Sequence, residues 1–244
     1  MSERYDSATA KHYAAYRPPL HRLILERVIG SSGSFRSGLD FGCGAGDSAL
    51  ALAQLCDRVC GLDVSPEMLE CAVPHPKITY MLGSAESLGG LPNRPFDIVT
   101  FAGSLYYAKS DVLRRALGSV CGLGALVVVY DFNVRVDDLM KVAGFASSPQ
   151  ASDYDHDIGL PEWTEFELLA AETECIRVEL SIAEAAYFLL SDSRRYDVIR
   201  QDCQVENVFE DLVSRLGNEE DVIHLGADIW SKSYRFNQKG RPIQ

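Results

Sequence analysis

Three glycines at alternating positions constrain the fold more than any other feature of this sequence. Gly42, Gly44 and Gly46 follow a short apolar run that ends at Phe41, and a stretch of helix-forming residues begins at Asp47. Glycine lets a chain turn tightly and lets a ligand approach the backbone, while a helix N-terminus presents free N–H groups. The pattern therefore predicts a strand, a ligand-binding loop and a helix in direct succession.

Acidic residues around this loop narrow the class of ligand. A dinucleotide-binding loop would carry glycine where Asp47 stands, and a phosphate-binding P-loop would end in Lys followed by Ser or Thr, which is not found here. Asp40 and Asp47 instead favour a cationic ligand. Asp63, 17 residues after Gly46, is placed to accept hydrogen bonds from both hydroxyls of a ribose. Loop and carboxylate together indicate an adenosine-like ligand.

Residues 36–131 alternate short apolar runs with helical stretches, which is typical of βαβ units and a parallel sheet in an α/β fold. Strands are predicted at Gly38–Phe41, Arg58–Asp63, Ile78–Leu82, Phe96–Phe101 and Ala125–Phe132. Helices are predicted at Asp47–Cys56, Pro66–Ala72 and Asp111–Val120. Ser65 before Pro66 is the expected N-cap of the second helix.

The segments before and after this core predict additions to a single domain. Residues 1–35 suggest two short helices broken at Pro18-Pro19, and residues 134–244 are expected to form the side of the domain that binds the acceptor. Thr173–Leu180 and Ile229–Phe236 alternate like strands, and Ile182–Leu216 reads as interrupted helices. We expect residues 182–216 to form a helical cap over an apolar pocket.

Charge and cysteine content restrict partners and compartment. The formal net charge is -12, from 35 acidic and 23 basic residues, so the long-range field repels a nucleic acid. No apolar run reaches the length of a membrane span, and the N-terminus lacks a signal-peptide layout. The seven cysteines include no CxxC pair and predict reduced thiols, which favours the cytoplasm.

The motifs LDFGCGAG, GLDVS, GSAESL and FDIVTFAGSLYY, in this order and spacing, resemble those of class I S-adenosylmethionine (SAM)-dependent methyltransferases. The resemblance covers about residues 4–133. It implies a Rossmann-like, mostly parallel sheet of seven strands with the last strand antiparallel, helices on both faces and a helical cap. The N-terminal YAAYRP is most similar to the small-molecule branch that includes the trans-aconitate methyltransferases.

The resemblance implies SAM as cofactor and assigns contacts residue by residue. Ser84 departs from the family pattern, because many members place there an aspartate that faces the adenine amino group. Tyr13 and Arg17, with Tyr16, are expected to close over the methionine end of the cofactor. The other implied contacts are Asp40, Gly42, Cys43, Gly44, Gly46, Asp63, Val64, Met68, Ser84, Ala85, Glu86 and Phe101.

Methyl transfer to a hydroxyl or an acidic carbon needs a base, whereas a carboxylate or an amine acceptor needs none. The candidate bases are His12, Asp131 and His156. The acidic run at residues 153–157 is interpreted as an acceptor-side loop, with no metal expected, because its alternating side chains give no fixed coordination geometry.

The predicted function is methylation of a small organic acceptor by a monomer or homodimer that binds neither nucleic acid nor membrane. The atom methylated stays open among oxygen, nitrogen and carbon. Two alternatives also stay open: a catalytically silent SAM-binding or partner-binding module, and an aminopropyl-type transferase on the same fold.

Overall fold

The structure is a computed structural model that describes residues 12, 16, 18–30, 33–88, 90–92, 94–107, 110–145, 154–203, 207–218 and 221–237. The strands are β1 Phe35–Phe41, β2 Cys56–Asp63, β3 Ile78–Leu82, β4 Phe96–Ala102, β5 Cys121–Val134, β6 Phe166–Ser181 and β7 Val222–Phe236. The helices are α1 Leu20–Ile29, α2 Asp47–Leu52, α3 Pro66–Glu70, α4 Ser110–Val120, α5 Val136–Val142, α6 Ile182–Leu190, α7 Ser193–Asp202 and α8 Val208–Leu216.

The seven strands form one sheet in the order β3-β2-β1-β4-β5-β7-β6. Strands β1 to β5 pair in parallel, and the last strand is antiparallel, as predicted. Strand β1 is buried over its last five residues because it lies between two parallel neighbours with both faces covered. Consecutive parallel strands bring the loops after β1, β2 and β4 to one edge of the sheet.

The chain divides into two compact units, which are described separately. One comprises residues 20–132, 154–174 and 229–244, and holds most of the sheet. Its core includes Leu39, Val99, Phe101 and Val127 of the strands and Leu117 of α4. The other comprises residues 1–19, 133–153 and 175–228, where α6 packs against α5, α7 and α8. The predicted cap, residues 182–216, falls in this second unit.

Local sequence signals account for several element boundaries. The side-chain oxygen of Ser65 accepts from Met68 N at 3.2 Å, and Pro66 opens α3, which confirms the predicted cap. Ser181 and Glu184 form a capping box at the start of α6. None of the described helices is both long and apolar enough to cross a bilayer.

Candidate functional site

The glycine loop turns through backbone conformations that favour glycine. Gly42, Gly44 and Gly46 have φ values of 70°, 53° and 93°. A Cβ atom on Gly42 would lie 2.4 Å from Cβ of Ser104, so this glycine is also required by close packing. Gly42 N and Cys43 N both donate to the Leu62 carbonyl, at 2.7 and 3.1 Å, which fastens the loop to β2.

Asp63 ties the end of β2 to the same loop. Its Oδ2 accepts from Gly44 N at 2.8 Å, and its Oδ1 accepts from Ser65 N at 2.9 Å. A carboxylate offers about four acceptor positions, so both oxygens keep capacity for further donors. Asp63 also lines a cavity, where those remaining positions are available to the hydroxyls of a ligand.

Asp40 lies beneath the loop and is fully buried. Its carboxylate accepts from the Ser48 hydroxyl at 2.5 Å and from the Thr100 hydroxyl at 2.8 Å. Burial raises the pKa of Asp40 to about 6, and these two hydrogen bonds offset part of that effect. Asp40 is not among the residues that line the cavity, and its side chain braces β1 against α2 and β4. Its assignment as a direct cofactor contact stays a prediction.

A cavity of about 400 Å³ opens between the glycine loop and the ends of β2, β3 and β4. This size suits a small-molecule site. Phe41 and Phe101 stack at 5.1 Å between ring centroids and contribute an apolar wall. Of the predicted cofactor residues, the cavity is lined by Gly42, Asp63, Val64, Ser84, Ala85, Glu86 and Phe101.

Four other predicted cofactor residues do not line this cavity. Cys43 is buried, and desolvation raises the pKa of its thiol, so the group is an inert packing residue. Gly44 lies under the side chain of Met68, since a Cβ atom there would be 3.1 Å from Cε of Met68. Gly46 packs against the ring of Tyr80. These residues shape the loop, and their assignment as direct cofactor contacts stays a prediction.

The turn after β3 brings an acidic group to the cavity despite the serine at position 84. Ser84 Oγ donates to Glu86 Oε2 at 2.9 Å, and Glu86 N donates to Ser84 Oγ at 3.2 Å. Both residues line the cavity with Ala85. The cavity therefore has a carboxylate at position 86, which is held by the hydroxyl of Ser84.

Two of the three candidate bases lie in contact. His156 Nδ1 is 3.1 Å from Asp131 Oδ2, and Asp131 Oδ1 accepts from Phe132 N at 2.8 Å. Asp131 is on β5, and a Cβ atom on Gly103 at the end of β4 would lie 3.3 Å from Asp131 Oδ1. Gly103 lines the cavity, so the Asp131–His156 pair adjoins its wall.

Sequence reasoning missed two aromatic residues that hold His156. The imidazole stacks on Trp230 at 4.8 Å with an interplanar angle of 13°, and it meets Tyr154 edge-on at 4.7 Å. The Tyr154 hydroxyl donates to the Gly103 carbonyl at 3.2 Å. The sequence predicts only that Trp230 lies on a strand, and nothing in its local sequence indicates this contact.

His12 belongs to the other unit. Its ring stacks on Phe209 at 6.1 Å and lies near Tyr187 and Tyr196. Burial, and then the charge of Glu184, raises the pKa of Tyr16 to about 12. Tyr13 and Arg17 lie outside the described residues. The role of His12 as a base stays a prediction.

The described part of the chain contains no group of three or more His, Cys, Asp or Glu side chains placed to hold a metal. In the loop predicted to be acidic, Asp157 pairs with Lys232 at 3.0 Å, and Asp155 Oδ1 accepts from Asp157 N at 2.9 Å. These described acids are thus engaged with protein groups.

Comparison with known proteins identifies the segment that holds this cavity. Residues 39–123 match the family model described as a methyltransferase domain. Residues 39–123 are thus similar to methyltransferase domains. The matched segment runs from β1 to the start of β5 and includes every residue that lines the cavity.

A sequence relative and several solved structures are similar to this chain. An uncharacterized methyltransferase of Schizosaccharomyces pombe is 32% identical over 122 residues, which is 48% of this chain and 45% of that protein. The chain thus spans less than half the length of this relative. A structure assigned as a type II methyltransferase of Anaeromyxobacter dehalogenans has a TM-score of 0.61 at 22% identity, covering 91% of this chain and 99% of its own.

A second solved structure supports the same fold. That structure was described for the conversion of a disulfide bond into a thioacetal group during echinomycin biosynthesis. Its TM-score is 0.51 at 19% identity, and the match covers 93% of this chain and 84% of the other chain. At these identities the likeness shows the fold alone. The fold is that of the class I SAM-dependent methyltransferases.

Proposed function

We propose that this protein transfers a methyl group from SAM to a small organic acceptor. The observation that carries the proposal is the position of Asp63, whose carboxylate holds the glycine loop through Gly44 N and also faces the cavity. A carboxylate fixed by backbone donors is preorganised to accept the two hydroxyls of a ribose.

The residues around the cavity fit SAM better than a dinucleotide. Asp63 and Glu86 are the charged side chains among the described residues that line it, and both are acidic. Such a lining suits a sulfonium cation and disfavours a pyrophosphate. When bound, SAM supplies an activated methyl group, so the protein needs no covalent intermediate of its own.

The chain's own groups have three tasks in this site. Asp63 binds the ribose, and Ser84, Ala85 and Glu86 surround the adenine. The stacked rings of Phe41 and Phe101 make the cavity wall apolar and so exclude water from the reacting centre.

The acceptor is a small molecule in this proposal. The net charge of -12 opposes binding to nucleic acid. We propose action in the cytoplasm as a monomer or homodimer, consistent with seven free cysteines. The likeness to the trans-aconitate methyltransferase branch rests on the N-terminal motif and is kept as part of the proposal.

A silent binding module is the principal alternative, and an aminopropyl-type transferase is the second. The silent module predicts cofactor binding without turnover on any acceptor. The Asp131–His156 pair beside the cavity favours turnover, because a binding module has no use for a base. An aminopropyl transferase would instead use decarboxylated SAM.

Calorimetry tests the cofactor. SAM and S-adenosylhomocysteine (SAH) should bind and NADH should not, and Asp63→Ala should weaken SAH binding by about 100-fold, as expected for loss of a charged hydrogen-bonding group. Asp57→Ala is the matched control, since Asp57 is an exposed aspartate on the same strand. Binding of NADH alone, or unchanged SAH binding by Asp63→Ala, would refute the proposal.

A further inference from the structure

We propose that Asp131 and His156 form a general-base pair, and that the acceptor of this site is an aromatic hydroxyl compound, whose hydroxyl proton His156 removes. This inference rests on the proposed function, because it concerns the acceptor of the same cavity. It selects oxygen as the methylated atom, which the sequence leaves open.

The hydrogen bond between the pair sets the tautomer of the imidazole. A carboxylate has no proton to donate, so at 3.1 Å His156 Nδ1–H must be the donor to Asp131 Oδ2. Nε2 of the neutral ring then carries a lone pair. It has no hydrogen-bond partner in the protein within the described ranges, and the side chain is 27% exposed. His156 is thus built to accept a proton at Nε2.

The surroundings stabilise the ring after it gains that proton. Asp131 is 14% exposed and sits against the imidazole, so it neutralises an imidazolium in a site with little screening. The face of Trp230 lies 4.8 Å from the ring and attracts a cation. Both contacts suit an imidazolium at this position.

The loop that carries His156 is anchored on both sides of it. The Tyr154 hydroxyl donates to the Gly103 carbonyl, Lys232 pairs with Asp157 at 3.0 Å, and Leu160 N donates to the Tyr234 hydroxyl at 3.1 Å. Burial, and then the charge of Asp131, raises the pKa of Tyr154, so that phenol stays protonated and serves as a donor. Among the titratable groups that face the ring, His156 is therefore the proton acceptor.

Aromatic side chains beside the pair indicate a flat acceptor. Tyr106 is 49% exposed and Tyr107 is 77% exposed, and Tyr106 contacts Tyr154 at 5.0 Å between centroids. Tyr107 lines the cavity. Exposed aromatic faces next to an apolar cavity wall favour stacking with a planar ring. An aromatic hydroxyl combines such a ring with a proton that a base must remove.

The step at His156 is a proton transfer. The O–H bond of the acceptor breaks, its electron pair stays on oxygen, and the proton forms a bond with the lone pair of His156 Nε2. Asp131 holds the resulting imidazolium as an ion pair. The proton then passes to water when the product leaves.

The test uses para-nitrophenol, whose phenolate absorbs visible light. At a pH below the pKa of the free phenol, binding to the wild-type protein should produce the phenolate band. His156→Gln should lower the phenolate fraction of the bound probe about tenfold. Asp131→Asn should also lower this fraction. His224→Gln, which changes an exposed histidine on β7, should leave the band unchanged.

Turnover of para-nitrophenol gives a second readout, in which His156→Gln should lower kcat about tenfold, in proportion to the phenolate fraction of the bound probe. The inference is overturned if the wild type does not bind para-nitrophenol, if the bound probe stays protonated, or if His156→Gln keeps the band. The band is recorded with and without SAH, and SAH binding is measured separately. Failure of Asp131 and His156 to act as a general base is thereby distinguished from failure of the cofactor site.

Discussion

The carboxylate of Asp63 accepts a hydrogen bond from the backbone N–H of Gly44 at 2.8 Å, although the two residues are 19 positions apart in the sequence. The second oxygen accepts from Ser65 N at 2.9 Å, which begins the approach to α3. One side chain therefore fixes both the ligand-binding loop after β1 and the turn after β2. Ligand binding and loop order should depend on it together.

Asp63→Asn should loosen the loop even without ligand. An amide has one oxygen, so one of the two backbone donors must face an NH₂ group and lose its acceptor. Amide hydrogen exchange of Gly44 or Ser65 should become faster, while Asp57→Asn should leave both amides protected. Equal protection of both amides in Asp63→Asn would show that the carboxylate does not hold the loop.

Gly42→Ala should destabilise the protein more than Gly30→Ala. Both glycines have positive φ, 70° and 83°, so the backbone strain is similar. A Cβ atom at position 42 would lie 2.4 Å from Cβ of Ser104, whereas nothing lies within 4 Å at position 30. Urea denaturation should show roughly 2 kcal/mol more loss for Gly42→Ala, as expected for overpacking. Equal losses would mean that the loop relaxes at no cost.

Asp40 should make stability depend on pH. Its pKa is 3.8 in the unfolded chain and about 6 in the folded one, so the native state binds more protons between these values. The free energy of unfolding therefore contains a term that falls as the pH rises through this window, by up to about 3 kcal/mol. Asp40→Asn removes this term.

Denaturation measured across that window checks the sign. The stability of Asp40→Asn relative to the wild type should increase as the pH rises, because the amide carries no charge into the core. Asp57→Asn provides the control, since its carboxylate is exposed in the folded protein. A relative stability that stays flat with pH would contradict the burial effect.

Glu86 should recognise the amino group of adenine. Its carboxylate lines the cavity and is held by Ser84 Oγ at 2.9 Å. S-inosylhomocysteine has an oxygen in place of that amino group, so the wild type should bind it roughly tenfold more weakly than SAH. The preference should vanish in Glu86→Ala when both ligands are titrated by calorimetry. A preference that persists in Glu86→Ala would place the adenine contact elsewhere.

The sequence predicted the strands of the core well because short apolar runs and the residues that interrupt them are local signals. Strand β3 has the predicted bounds, and β4 extends one residue beyond them. The helix predicted at Asp47–Cys56 ends at Leu52 instead. No stop signal marks this point, but the Leu55 carbonyl accepts from Phe35 N at 2.8 Å, and Cys56 begins β2. Pairing with β1 thus overrides helix propensity.

The predicted bounds of strands β6 and β7 were too short. Strand β6 begins at Phe166, yet Thr173–Leu180 was the part predicted, because residues 167–169 and 171–173 are exposed and show no alternation. Strand β7 begins at Val222 rather than at Ile229, although buried residues already alternate from Leu225 onward. Apolar alternation appears only where one face is buried.

In the candidate site, too, only the residues in neighbouring motifs could be predicted from the sequence. The glycine loop and Asp63 were predictable because their chemistry lies in adjacent motifs. The contact of Asp131 with His156 joins residues 25 positions apart in the sequence, and Trp230 comes from a later strand. The bracing role of Asp40 depends on the hydroxyls of Ser48 and Thr100, which only the packed sheet brings together.

A crystal structure of the protein with SAH is the most direct test of the cofactor site. Both ribose hydroxyls should bind Asp63, and the adenine should lie beside Ala85 and Glu86, with the sulfur end toward Gly103. Density for SAH elsewhere, or a ribose without contact to Asp63, would contradict this prediction.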